Sequence, residues 1–98
     1  MTIEIKKAAA ETIIEIVGRL DTTTAPALDK TINENLAGTT DLILDMTGLE
    51  YISSAGLRVL LSAQKQMQKA GSMKVVHVCQ EVMEVFEMTG FADILVIE

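Results

Sequence analysis

The sequence predicts an α/β fold: one domain over residues 1–98, with a mixed, mostly parallel β-sheet packed with α-helices in the order β-β-α-β-α-β-α-β. Three observations predict it. Apolar residues switch repeatedly between alternation and helical spacing. A glycine closes each helical pattern, at Gly38, Gly71 and Gly90. The 98 residues, 49% apolar and 22% charged, are enough for one core and too few for a second domain. Only Tyr51, Phe86 and Phe91 are aromatic, so the core must come from Ile, Leu, Val, Met and Ala.

Thr2 to Lys6 alternates with Ile3 and Ile5 on one face, and Thr12 to Leu20 does so with Ile14, Ile16 and Leu20. The short Lys7–Glu11 connection makes these two strands antiparallel neighbours. Asp21-Thr22-Thr23-Thr24 is a run of helix-capping residues, and Pro26 suits a first helical turn. Ala25, Leu28, Ile32 and Leu36 then recur at helical spacing. Leu42-Ile43-Leu44, between two aspartates, reads as a buried central strand. Thr47 to Ser53 reads as a connector, and Ala55 to Ala70 as a helix with Leu57, Leu60, Leu61 and Met67 inward. Lys74 to Cys79 is expected to be a strand, Glu81 to Thr89 a short helix, and Ile94 to Ile97 a last strand. Strands separated by helices imply right-handed crossovers and parallel pairing.

Composition narrows the function. A formal net charge of −6 with 8 basic residues disfavours nucleic-acid backbones and anionic membranes as partners. No apolar run approaches the ~20 residues of a membrane span, and the N-terminus lacks the pattern of a signal peptide. The single cysteine, Cys79, excludes an intrachain disulfide. These features point to a cytoplasmic, monomeric domain with no cofactor. No phosphate-binding loop or dinucleotide fingerprint is present. His77 and Cys79 share a face of their expected strand, but two ligands without neighbours make no metal site.

Tyr51-Ile52-Ser53-Ser54-Ala55-Gly56-Leu57 leaves the most buried strand and enters the most regular helix. Ser54 there has two readings. It caps orphan helix N–H groups, or it carries a phosphate at the positive helix end. Gly18-Arg19-Leu20-Asp21-Thr22-Thr23-Thr24 also ends a strand and opens a helix. If its strand lies beside Leu42–Asp45, the two loops emerge on one edge of the sheet.

These segments carry a family likeness. Gly18–Ala25 resembles the Gly-x-Leu-Asp-x-x-Thr-Ala signature of anti-sigma factor antagonists, prototypes of the STAS domain. Tyr51–Leu57 resembles their Ile-x-Ser-x-Gly-Leu block. Phe86–Phe91 resembles their Phe-x-Met-[Ser/Thr]-Gly block. The three stand in the family's order and span most of the chain.

The resemblance implies a single STAS-like domain without enzymatic activity. It implies that an anti-sigma factor, itself a serine kinase of GHKL type, phosphorylates Ser54. The unphosphorylated protein would bind that kinase and free the sigma factor, and a PP2C-type phosphatase would reset it. Partner contacts are expected from Asp21, Thr22, Thr23, Thr24, Ser53, Ala55, Gly56 and Arg58. Ser53 stands where the prototypes have Asp, which offers a second hydroxyl. The chain ends at Glu98, where many relatives continue into a further helix. Two other roles fit less well: a STAS subunit of a lipid transporter or sensory assembly, and an enzyme using Ser54 with His77 as its base.

Overall fold

A computed structural model describes residues 1–98. In chain order it contains β1 (Thr2–Ala8), β2 (Glu11–Leu20), α1 (Ala25–Glu34), β3 (Asp41–Ile52), α2 (Ser54–Ala70), β4 (Ser72–Val76) and α3 (Gln80–Thr89), then one 3₁₀ turn at Phe91–Asp93. The sheet order is β1-β2-β3-β4. β1 and β2 are antiparallel, joined through Ala9 and Ala10, while β2–β3 and β3–β4 are parallel.

The sheet is buried on one face only. Ile14, Ile16 and Leu20 of β2, Leu42, Leu44 and Met46 of β3, and Met73 and Val75 of β4 meet Leu28, Ile32, Leu60, Met67, Val82 and Phe86 of the helices. These side chains belong to one cluster of 21 buried residues. The opposite face carries polar and charged side chains, including the Lys6–Glu15 ion pair at 2.9 Å. Alternation through Thr12–Ile16 of β2, Leu42–Met46 of β3 and β4 sends every second residue to the helices.

β3 departs most from expectation. The segment Thr47–Ser53 is not a connector: through Ile52 it continues the strand, which runs 12 residues. Its pairing explains the misreading. Glu15 faces Asp45, yet Val17 faces Gly48; Gly18 faces Leu49, yet Arg19 faces Tyr51. At both places β3 spends one residue more than β2, so it contains two β-bulges. Buried residues therefore fall at Met46, Leu49 and Ile52, a spacing of three that hides the strand.

Two further expectations are corrected. β4 ends at Val76, because His77 adopts φ 58° and turns the chain out of the ladder. His77 and Cys79 therefore do not share a strand face. Ile94–Ile97 is not a full strand either: only a single bridge, Val75 to Ile97, holds it beside β4. The bridge consists of Val75 N–H to the Val96 carbonyl at 2.8 Å and Glu98 N–H to the Val75 carbonyl at 2.9 Å.

Candidate functional site

Parallel pairing of β2 with β3 brings the two candidate loops together. Leu20 and Ile52 are register partners, and the Ser53 N–H donates to the Leu20 carbonyl at 2.9 Å. Asp21 and Ser53 thus leave adjacent strands side by side, at the carboxyl edge where parallel sheets present their sites.

The first loop is closed by its own polar groups. Asp21 Oδ1 accepts the Thr23 N–H at 2.9 Å, the Thr23 hydroxyl at 2.7 Å and the Thr24 N–H at 3.2 Å. The Thr24 hydroxyl donates to the Arg19 carbonyl at 2.8 Å and accepts the Asp21 N–H at the same distance. Asp21 is consequently held below the usual carboxylate range, mostly by the Thr23 hydroxyl and N–H, with Thr24 adding to it against partial burial. Thr24 occupies the N-cap of α1 but makes no cap bond, its hydroxyl being committed elsewhere. Thr22 and Thr23 are exposed.

The second loop is organised from below. Ser53, in extended conformation, is the N-cap of α2, and its carbonyl accepts the Leu57 N–H at 3.0 Å. Its side chain makes no cap bond, and its Oγ is buried without a partner. Ser54 follows as the first residue of α2 and is exposed. The capping position thus belongs to Ser53, one residue before the serine expected to hold it. Gly56 is buried: a Cβ there would lie 2.7 Å from Leu20 Cγ and 2.8 Å from Ile52 Cγ1, so its absence lets α2 close onto the sheet. Leu57 is 7% exposed and anchors the turn. Ala55 is half-buried, and Arg58 is exposed.

Sequence reasoning passed over one neighbouring pair. The Arg19 guanidinium lies over the Tyr51 ring, 4.1 Å from its centroid. Both stand within the loop motifs, yet their contact depends on the bulged register, which no local pattern announces. His77 is exposed, with Nδ1 3.1 Å from Asp45 Oδ1. Asp45 also accepts from the Thr47 N–H and hydroxyl. Partial burial pushes Asp45 up, but Thr47 and His77 outweigh it and leave its carboxyl low. His77 and Asp45 share no hydrogen bond with Ser54. A cleft of about 330 Å³ lies at the amino ends of β3 and β4, lined by Glu11, Asp41, Ser72, Lys74 and Glu98, and not at the loops. No helix is long and apolar enough to cross a membrane.

The STAS domain family model matches residues 2–98. Over 96 residues the chain is 26% identical to the anti-sigma-B factor antagonist of Bacillus subtilis, which covers 97% of this chain and 88% of that protein. A 54-residue stretch is 44% identical to BtrV of Bordetella bronchiseptica, spanning 54% of this chain and 47% of that one. Among solved structures, an anti-sigma factor antagonist from Mycobacterium paratuberculosis superposes with a TM-score of 0.89 at 23% identity, over 98% of this chain and 83% of that one. The anti-sigma factor antagonist SpoIIAA in its unphosphorylated form gives a TM-score of 0.85 at 17% identity, over 99% and 88%. Its phosphorylated form gives 0.77 at 16% identity, over 99% and 91%. The structural likenesses show a shared fold.

Proposed function

Because the chain belongs to the STAS domain family, we propose that it is an anti-sigma factor antagonist switched by phosphorylation of Ser54. The observation that carries this reading is the placement of Ser54. Its side chain is exposed on the first turn of a 17-residue helix, beside the internally hydrogen-bonded Asp21–Thr24 loop, while the adjacent Ser53 hydroxyl is buried. Relatives named as antagonists, and a fold neighbour solved in phosphorylated and unphosphorylated forms, support it.

In the unphosphorylated state, the surface made by Asp21–Thr24, Ser53–Gly56 and Arg58 docks on an anti-sigma factor that is also a GHKL-type serine kinase, and the sigma factor is released. In the phosphorylation step, Ser54 Oγ attacks the γ-phosphorus of kinase-bound ATP. ADP departs, and the hydroxyl proton passes to a base on the kinase. The product carries about −1.5 to −2 charges where a neutral hydroxyl had been. The positive end of α2 tolerates that anion, so the fold persists while the docking surface becomes negative. A PP2C-type phosphatase hydrolyses the phosphoserine and restores the binding form.

Intact mass and peptide mapping after incubation with the kinase and ATP test the assignment. One phosphate on Ser54, and none in Ser54→Ala, is expected. Ser54→Ala should keep kinase affinity and Ser54→Asp should lose it, with both remaining folded. Phosphate on Ser53, or equal affinity for Ser54→Ala and Ser54→Asp, would overturn the reading. So would co-purification with a transporter ATPase and with no kinase.

A further inference from the structure

We infer that Arg58 is an intramolecular ligand for the phosphate on Ser54, so that modification withdraws a cation from the docking surface as well as adding an anion. The inference rests on the proposed role of Ser54 as the acceptor and deepens it.

Four observations support it. Ser54 and Arg58 are both exposed on α2 and stand four residues apart, so they share one helix face. Arg58 is uncommitted: the ion pairs of the molecule are Lys6–Glu15, Lys74–Glu98 and His77–Asp45. α2 holds Arg58, Lys65 and Lys69 and not one of the chain's 14 acidic residues, so no carboxylate on its own helix competes for the guanidinium. Finally, Arg58 is the only charged residue in the first two turns of α2. A guanidinium can meet a phosphate through two parallel hydrogen bonds, and the pair is favoured with the anion on the N-terminal side.

Outside α2, Asp21 stands on the loop beside Ser53, and Arg19 is engaged with the Tyr51 ring. Asp21 opposes the phosphate and does so equally in every variant of Arg58. Lys65 lies 11 residues beyond Ser54, roughly 16 Å along the helix axis, past the screening length at physiological salt. It serves as the control.

The experiment uses full-length protein with phosphoserine installed at position 54 during translation, which removes any dependence on a kinase. The second ionisation of the phosphate is followed by phosphorus NMR across pH. Arg58 favours the dianion, so Arg58→Gln should raise this pKa by roughly 0.1–0.4 unit. Arg58→Lys should recover part of the difference, and Lys65→Gln should leave the titration unchanged. Identical titrations for the parent and Arg58→Gln would overturn the inference. Equal shifts from Arg58→Gln and Lys65→Gln would do so too, since they would report the general field of the helix. A shift specific to Arg58, in a protein whose Ser54 no kinase modifies, would uphold this pairing while removing the switch proposed above.

Discussion

The two loops at the carboxyl edge of the sheet are neighbours in space and opposites in construction. Asp21–Thr24 is held by hydrogen bonds among its own side chains, with Asp21 Oδ1 as the hub. Ser53–Leu57 is held by apolar contact beneath it: Gly56 admits Leu20 and Ile52, and Leu57 sits in the core. Polar groups that brace a loop are occupied. A loop braced by packing leaves its hydroxyls for other work, and Ser54 stands in the second kind.

The largest effect should come from removing the apolar support. Leu57→Ala should cost about 2–5 kcal/mol in denaturant unfolding, because a nearly buried side chain leaves a cavity. Gly56→Ala should cost less, about 1–3 kcal/mol, since its new methyl must displace Leu20 and Ile52. If either variant unfolds at the parent's midpoint, the second loop is not held from below.

Asp21→Ala strikes the other kind of loop, and a smaller loss of stability is expected. Its pH dependence identifies the cause. A carboxyl held below its ordinary value of 3.8 adds stability that is fully present above that pH and is lost as the pH falls through the folded value. The gap between parent and Asp21→Ala should therefore narrow as the pH is taken below 3.8. A gap that stays constant across that range would mean that the hub works through shape and not through charge.

The smallest effect, with the opposite sign, is expected at Ser53. Its buried Oγ has no partner, so Ser53→Ala removes an unpaired polar atom and should be neutral or stabilise by up to about 1 kcal/mol. A clear destabilisation would show that the hydroxyl is bonded in solution and that the contrast between the loops is overdrawn.

How much of this was legible depends on the range of the forces involved. β1, β2 and the three helices follow from local periodicity, and most of their boundaries differ from expectation by a residue or two; α1 stops earlier, at Glu34 with Asn35 as its C-cap and not at Gly38. That the two loops emerge on one edge of the sheet is expected if β2 lies beside β3, and it does. Three things were hidden. The bulges of β3 disguised Leu49 and Ile52 as loop residues. The left-handed backbone of His77 cut short a strand that Val76 and Val78 had suggested. Ile94–Ile97 has a strand's composition, but it meets only Val75. At the site, motif order marks Ser54 as the candidate acceptor. The burial of the Ser53 hydroxyl and the inward direction of Gly56 depend on helix-to-sheet distance, which no single segment encodes.

The two bulges also set a rule for insertions and deletions. Thr47 and Glu50 have no counterpart in the ladder with β2. Removing both would leave Leu42, Leu44, Met46, Leu49 and Ile52 in unbroken alternation, all still directed to the helices. Removing Thr47 alone would abolish the first bulge and leave the second, so Leu49 and Ile52 would keep Gly18 and Leu20 as partners and stay directed to the helices. Each bulge therefore absorbs its own extra residue, independently of the other. The two bulge residues, both on the surface, are the places where a single deletion is absorbed, whereas a deletion in the regularly paired stretch Asp41–Asp45 has no bulge to absorb it and reverses the side chains that follow.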